Sequence, residues 1–576
     1  MNLPKKINEL NIMIGGKAGE GIDLPGSLIS HLCMKAGLYF HTAAEIQNVI
    51  KGYNNTFQIR ISEKPVNCHD NKYDLVLALD DETTDLYLDN IVPGGGLIYD
   101  PETSTVERDD INLYPVPLRK IAKEKVGMEL AKNVVGVGAL LSLLDHPVNA
   151  LHELLKKQFA KKGDKIIESN ILAVEAGYHY VNEHFDDNFP FFLEDRESPE
   201  TFMADGSMLA CMGAIKAGCK FVSEYPMTPS SGILHFMAKH ARDYNISVNH
   251  VEDELSAINM AIGAGYAGTR SMTATSGGGF ALMTEAISLS GMIEAPVVIF
   301  EVQRPGPSTG LPTRTGQGDL RQVLHAGQGD FPKIVLAPGT HEEAFHMGFE
   351  AFNLAEIFQC PVIVLMEKYL AMNSVNLPKI NTENFEIDRG KLMVESEIDE
   401  SFKRFEDTPD GIPPRSIPGQ KGGAHSASSY EHREDGYFTE LIPEVNAIQL
   451  RRMRKLDTCL ETLPLVMIEG EKEADVTLVC WGSTYVAVVE SLTLLQNEGI
   501  SANLIHIKYL SPFQNGVKEI LENAKHPMLV EANSSGQLGG LIREKTGVNI
   551  EDKILDFSGR PFTADLIVEK VLKTLN

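Results

Sequence analysis

The chain has 576 residues, 43% of them hydrophobic and 23% charged, an ordinary soluble composition with room for about three or four domains at roughly 100 to 200 residues each. Its 52 Lys and Arg stand against 79 Asp and Glu, and the formal net charge of -27 argues against non-specific binding to nucleic acid or to an anionic membrane. An anionic substrate would need a local basic pocket.

The Met-Asn-Leu-Pro-Lys-Lys start has no apolar signal core behind it, and no stretch approaches the roughly 20 apolar residues of a membrane span, so a cytoplasmic protein is expected. Cys33, Cys68, Cys211, Cys219, Cys360, Cys459 and Cys480 lie far apart, with no Cys-x-x-Cys pair and no iron–sulfur or structural-zinc spacing. Reduced thiols are the expectation.

Leu10–Gly16 is an apolar run that stops at glycine, and the segment from Gly21 has apolar residues at helical spacing, so strand, glycine turn and helix are predicted. Further strands are predicted at Phe57–Ile61, Asp74–Leu79 and Gly95–Tyr99, with a buried helix over Val134–Leu144, giving an α/β layer that ends near Pro190. From Thr201 strand and helix alternate with short turns, as in a parallel sheet wrapped by helices. Its strands are placed at Lys220–Glu224, Ser271–Thr275, Pro296–Val302 and Cys360–Met366. Between Leu377 and Tyr437 the periodicity fades into turn-forming composition, read as a linker or a functional loop. Its His425, Glu431 and His432 are taken as surface residues in preference to metal ligands. A smaller α/β domain follows, with strands at Val476–Trp481, Ala502–Ile507 and Pro527–Glu531 and a helix over Tyr485–Leu495.

Three stretches carry chemistry. Tyr225-Pro-Met-Thr-Pro-Ser-Ser231 sits where a strand gives way to a helix, with Thr228 placed as N-cap and Pro229 as first helical residue. Such a terminus binds a carboxylate or phosphate through free N–H groups, or is no more than a well-capped helix. Glu254 opens a helix that is otherwise small or apolar, and a carboxyl there can hydrogen-bond a ring nitrogen, a contact that thiamine catalysis uses; dipole-favoured surface charge is the alternative, and Glu252 lies close by. Ser276, Gly277 and Gly278 lie in a glycine-rich turn that permits close approach to a cofactor. Arg304 and Arg314 flank a stiff Gly-Pro-Ser-Thr-Gly loop, and either guanidinium can pair with the carboxylate of a keto acid. No Gly-Asp-Gly…Asn loop, which would hold a metal and a diphosphate, occurs anywhere in the chain.

Together these residues resemble the alpha subunit of 2-oxoacid:ferredoxin oxidoreductases with the gamma domain fused ahead of it. The likeness spans nearly the whole chain. Gly15-Gly-Lys-Ala-Gly-Glu-Gly21 with Lys51–Arg60 looks like the gamma domain, Thr201 onward like the pyrimidine-binding domain, and Asp475 onward, including Glu531–Leu538, like the transketolase C-terminal domain. Met227 in place of isoleucine and Gly278 where proline is common are the visible departures.

The resemblance implies an α/β protein: a gamma-type domain (1–190), a thiamine-diphosphate pyrimidine-binding-type parallel-sheet domain (200–376), an irregular region (377–460) and a transketolase C-terminal-like domain (470–576). It implies Glu254 as the catalytic group, Thr228, Arg314 and Arg304 at the substrate, and Tyr225, Pro226, Ser276, Gly277 and Gly278 at the cofactor. The implied reaction is oxidative decarboxylation of a 2-oxoacid, with 2-oxoglutarate favoured, to an acyl-CoA and carbon dioxide. Thiamine diphosphate and coenzyme A are the implied cofactor and co-substrate. A beta subunit is expected to bring the diphosphate site, Mg²⁺ and a [4Fe-4S] cluster, in an (alpha-beta)2 assembly that reduces ferredoxin. A pyruvate or broad-specificity enzyme and a non-catalytic scaffold are the rival readings.

Overall fold

Aliphatic runs too apolar to face water on either side build central strands of the larger parallel sheet. A computed structural model describes residues 6–46, 54–186, 189–197 and 200–575. The chain divides into two compact units, Met1–Ala204 with Asn373–Ile380, and Asp205–Met372 with Asn381–Asn576.

The first unit is built on an eight-stranded mixed sheet. In spatial order its strands are Asn112–Pro115, Ile91–Tyr99, Tyr73–Ala78, Leu10–Lys17, Asn54–Ser62, Tyr39–Glu45, Ser374–Pro378 and Thr201–Asp205. Leu10–Lys17 pairs parallel with Tyr73–Ala78 and antiparallel with Asn54–Ser62. The expected buried helix is Lys132–Leu143, packed against the long helix Asp164–His184.

Gly15 and Gly16 close the strand Leu10–Lys17, and the turn over residues 18–22 leads into a helix at Asp23. Glu20 fills this turn with its own carboxylate, which accepts hydrogen bonds from Lys17 N at 3.3 Å and from Lys132 Nζ at 2.7 Å. Asp23 adds a second acidic group at the helix start. Residues 51–53 of the second motif in this unit lie outside the described residues.

The second unit holds two sheets. In the larger, β1 (Phe221–Glu224), β2 (Ser247–His250), β3 (Ser271–Thr275), β4 (Val297–Gln303), β5 (Ile334–Leu336) and β6 (Pro361–Glu367) are all parallel, in the order β2-β1-β3-β4-β6-β5, with Tyr509–Ser511 antiparallel at the edge. Four helices matter for the site and its support: α1 (Ser231–His240), α2 (Glu254–Tyr266), α3 (Gly277–Met292) and α4 (His341–Phe358). The smaller sheet has five strands in the order Ile468–Gly470, Ala502–His506, Val476–Cys480, Pro527–Glu531 and Asp552–Leu555, parallel but for the first. One apolar core containing Phe280, Leu320, Trp481 and Leu538 joins the two sheets.

The stretch read as an irregular region, 377–460, is packed into the protein. Ser374–Pro378 is a strand of the first unit, and Ile442–Thr462 forms a 21-residue helix, α5. Between them Arg404, Phe405, Ile412 and Arg415 are buried. Hydrogen bonds to buried ionic groups replace apolar periodicity here, which is why sequence patterning is silent. The surface placement of the histidines is corrected too: His432 is 1% exposed, with its ring 4.0 Å from that of Phe405, and His425 is half-buried against Tyr266. Among the described residues no cluster of three His, Cys, Asp or Glu could hold a metal ion, all seven cysteines are free and buried, and no helix is long and apolar enough to cross a membrane.

Candidate active site

In an open parallel sheet the loops beyond the carboxyl ends of the strands collect the ligand-binding groups. All the residues singled out from the sequence lie beyond the ends of β1–β4: Tyr225, Pro226 and Thr228 in the loop after β1, Ser276 after β3, Arg304 and Arg314 in the loop after β4, and Glu254, Gly277 and Gly278 in the first turns of α2 and α3.

Beyond β1, Tyr225 is partly exposed with its ring 6.4 Å from that of His250, Pro226 is half-buried and Thr228 is exposed. The helix here starts later than expected. A turn over residues 227–230, with Ser230 N and Oγ both donating to Met227 O at 2.8 and 2.7 Å and the Thr228–Pro229 peptide in cis, precedes α1, so Thr228 is no N-cap and Pro229 no helical residue. The Thr228 carbonyl instead accepts a 2.6 Å hydrogen bond from Arg304 Nη1, tying the loops after β1 and β4 together.

Beyond β2, Asp253 caps α2 by accepting from Ser256 N at 2.7 Å, which leaves Glu254 as the first helical residue, as expected. Glu252 is occupied by Ser256 Oγ at 2.8 Å. Glu254 differs: it is 4% exposed and its Oε1 is buried without a hydrogen-bond partner. A carboxylate oxygen left so is costly unless a donor arrives. The carboxyl lies against the first turn of α3, where a Cβ on Gly279 would overlap Glu254 Oε1 and Thr275 Oγ1. Only glycine fits there. Ser276 Oγ is likewise buried without a partner, and Gly278 faces open space.

Beyond β4, the loop folds back on itself, with Leu311 N donating to Pro305 O at 2.9 Å and Arg314 N to Leu311 O at 3.0 Å. Gly310 sits at φ +53 with Pro305 O where a Cβ would be. Gly310→Ala is therefore expected to reshape this loop and to cost about 1–3 kcal/mol of stability, read as a lowered denaturant midpoint. Arg314 packs against Gly559 and lies near Lys368, whose ammonium is brought down to about 8 by burial and then by the Arg314 charge.

Gln317, fully buried, fixes the end of the loop. Its N donates to Ala532 O at 2.7 Å, its Oε1 accepts from Ala532 N at 2.9 Å, and its Nε2 donates to Trp481 O at 2.9 Å and to Glu367 Oε1 at 2.6 Å. Between this loop, the start of α3 and the smaller sheet lies a cavity of about 590 Å³ lined by Gly277, Gly278, Arg304, Asp319, Asn533 and Ser535, among others. Thr228 is joined to it through Arg304 and Glu254 through the first turn of α3. Arg314 is not among the lining residues.

Sequence reasoning missed two carboxyls here. Glu301 lies in β4, fully buried, with neither oxygen hydrogen-bonded by a donor, and Asp319 reaches over α3 with its Oδ2 2.5 Å from where a Gly277 Cβ would stand. Burial, followed by the neighbouring Asp319, holds Glu301 well above the usual carboxylate range, and burial pushes Asp319 up to about 6. A signal was present: a glutamate inside the otherwise apolar Val297–Val302 run of a strand buried on both faces is out of pattern.

These residues suit one end of thiamine diphosphate. An acceptor oxygen without a partner, beside a glycine turn, fits the aminopyrimidine, while no group of three His, Cys, Asp or Glu that could hold the metal occurs among the described residues. Residues 11–180 match the family described as pyruvate ferredoxin/flavodoxin oxidoreductase, and residues 212–450 match its thiamine diphosphate-binding domain. A 2-oxoacid:ferredoxin oxidoreductase alpha subunit of Aeropyrum pernix is 33% identical, over 98% of both chains. The 2-oxoglutarate oxidoreductase subunit KorA of Mycobacterium tuberculosis is 26% identical, over 98% of this chain and 91% of its own. The solved 2-oxoglutarate:ferredoxin oxidoreductase from Magnetococcus marinus, with 2-oxoglutarate, coenzyme A and succinyl-CoA bound, superposes with a TM-score of 0.93 at 33% identity, over 99% of this chain and all of that one. With a gamma-like α/β unit fused ahead of a thiamine diphosphate-binding domain, and full-length relatives that share the layout, the chain belongs to the alpha subunits of the 2-oxoacid:ferredoxin oxidoreductases.

Proposed function

We propose that this chain is the alpha subunit of an enzyme that oxidatively decarboxylates 2-oxoglutarate with coenzyme A and passes the electrons to ferredoxin. The observation that carries the reading is Glu254, with its buried, unpartnered oxygen set against the first turn of α3. Thiamine diphosphate, when bound, supplies the nucleophilic carbon and the electron sink that loss of carbon dioxide requires. Glu254 would hold and return a proton at the pyrimidine ring nitrogen of the bound cofactor. Tyr225, Pro226, Ser276, Gly277 and Gly278 shape the wall around the ring. Thr228 and Arg304 receive the acid, where a guanidinium pairs with a carboxylate, and Arg314, which lies in the same loop but does not line the cavity, is kept with them on the family resemblance alone.

The Magnetococcus and mycobacterial relatives support 2-oxoglutarate as substrate. The diphosphate, Mg²⁺ and a [4Fe-4S] cluster fall to a beta subunit, because this chain has no Gly-Asp-Gly loop and no cluster spacing among its cysteines. An (alpha-beta)2 assembly in the cytoplasm completes the reading.

The test is an assay of the chain alone and of the reconstituted complex with 2-oxoglutarate, pyruvate and branched-chain 2-oxoacids in turn. The expected result is no turnover by the chain alone and the highest kcat/KM for 2-oxoglutarate in the complex. Robust turnover by the isolated chain would remove the two-subunit reading, and equal kcat/KM for all the acids would remove the substrate assignment.

A further inference from the structure

The two carboxyls that sequence reasoning missed stand beside the arginine assigned to the substrate. Glu301 is fully buried in β4, opposite Thr275 of β3 and Leu365 of β6, and no protein donor reaches either of its oxygens. Asp319 lies within hydrogen-bonding reach of it and also lines the cavity with Arg304. Asp319 N is already taken by Gln303 Oε1 at 3.2 Å, and Asp319 Oδ2 has no partner. Two carboxyls facing one another bond only if at least one carries a proton, because an ionised carboxylate accepts and cannot donate. The charged or titratable groups facing the pair are Arg304 from the loop and Glu367 from β6.

We propose that Glu301 and Asp319 form a proton-sharing carboxyl pair that sets how much positive charge Arg304 offers to the carboxylate of an anionic substrate. The pair is a positioning element that acts through Arg304, so the inference rests on the substrate role given to Arg304 above. With both groups protonated the pair is neutral and Arg304 faces the cavity with its full charge. Once Asp319 has ionised, a carboxylate beside the guanidinium competes for it, and the incoming acid binds less well. Glu301, buried deeper, keeps its proton and donates it to Asp319. With Asp319 brought to about 6 by burial, the change falls as the pH passes through about 6.

The experiment measures KM and kcat of the reconstituted complex for its 2-oxoacid from pH 5.5 to 8, at saturating coenzyme A. The wild type is expected to show KM rising with pH by about tenfold, the effect of one charge added a few ångströms away in a partly solvated site, with kcat not following that step. Asp319→Asn is expected to give a KM without the step. Glu301→Gln, whose neutral amide still donates to Asp319, is expected to keep it. Arg304→Gln should raise KM and abolish the step. A step that persists in Asp319→Asn, or in an Arg304→Gln variant whose KM is raised, overturns the pair. A KM unaltered in Arg304→Gln shows instead that Arg304 does not bind the acid, and the pair then falls with that assignment.

Discussion

Glu254→Ala in the assembled enzyme is expected to lower kcat by about 10²- to 10⁴-fold, the contribution typical of a positioned proton-transfer group. Assembly should survive. Asp253, not Glu254, caps α2, and Ala257, Ile258, Ala261 and Ile262 provide that helix's buried face. Size-exclusion chromatography of the variant complex checks assembly, and single-turnover loss of the 2-oxoacid checks the chemistry. Glu254→Gln keeps the shape but removes the carboxyl that can take up and release a proton, so its rate should fall almost as far. Unchanged turnover in both variants would leave the chain as a scaffold.

The second large effect is on stability. Glu294, fully buried after α3, accepts from Arg451 Nη1 at 2.7 Å and pairs with Lys455 Nζ at 2.5 Å, both on α5, while Arg404 Nη2 donates to the Glu294 carbonyl at 2.9 Å. Burial alone would raise this carboxyl, but Arg451 and Lys455 outweigh it and hold it well below the usual range. Glu294→Ala leaves cations buried without a counter-charge, so a loss of about 3–5 kcal/mol is expected, seen as a lower denaturant midpoint for the second unit. The sign with pH follows from the depressed value. The contribution is fully present above the unfolded carboxylate's pKa of about 4.3, and is lost as pH falls through the lower folded value. In Glu294→Ala that acid-side loss should be smaller than in the wild type.

Much of the parallel sheet was legible because its strands are continuous apolar runs that water excludes from both faces; β3, β4 and β6 are buried throughout. The strands that escaped are short, polar or distant. Ser247–His250 has no buried residue and sits at an edge, Ile334–Leu336 is three residues long, and Ser374–Pro378 joins the first unit's sheet across more than 300 residues of chain. At the site, the start of α2 at Glu254 could be read because a capping Asp and an acidic first turn are local signals. The turn at Thr228 could not, since the hydrogen bond that fixes its carbonyl comes from Arg304, 76 positions away. Glu301 stood out of pattern in its strand, but its relation to Asp319 and to the glycines of α3 joins β4, the loop after it and the start of a helix, and spacing along the chain does not encode that.

The bonds of Gln317 have a mechanical consequence. One residue is bolted at the same time to Glu367 at the end of β6 and to Trp481, Ala532 and Asn533 of the smaller sheet's loops. To slide one sheet over the other at this point, several short hydrogen bonds would have to break together inside a buried seam. The sheets therefore travel as one piece beneath the cavity, and compliance is left to its outer rim, where Pro307, Ser308 and Phe557 stand exposed to solvent.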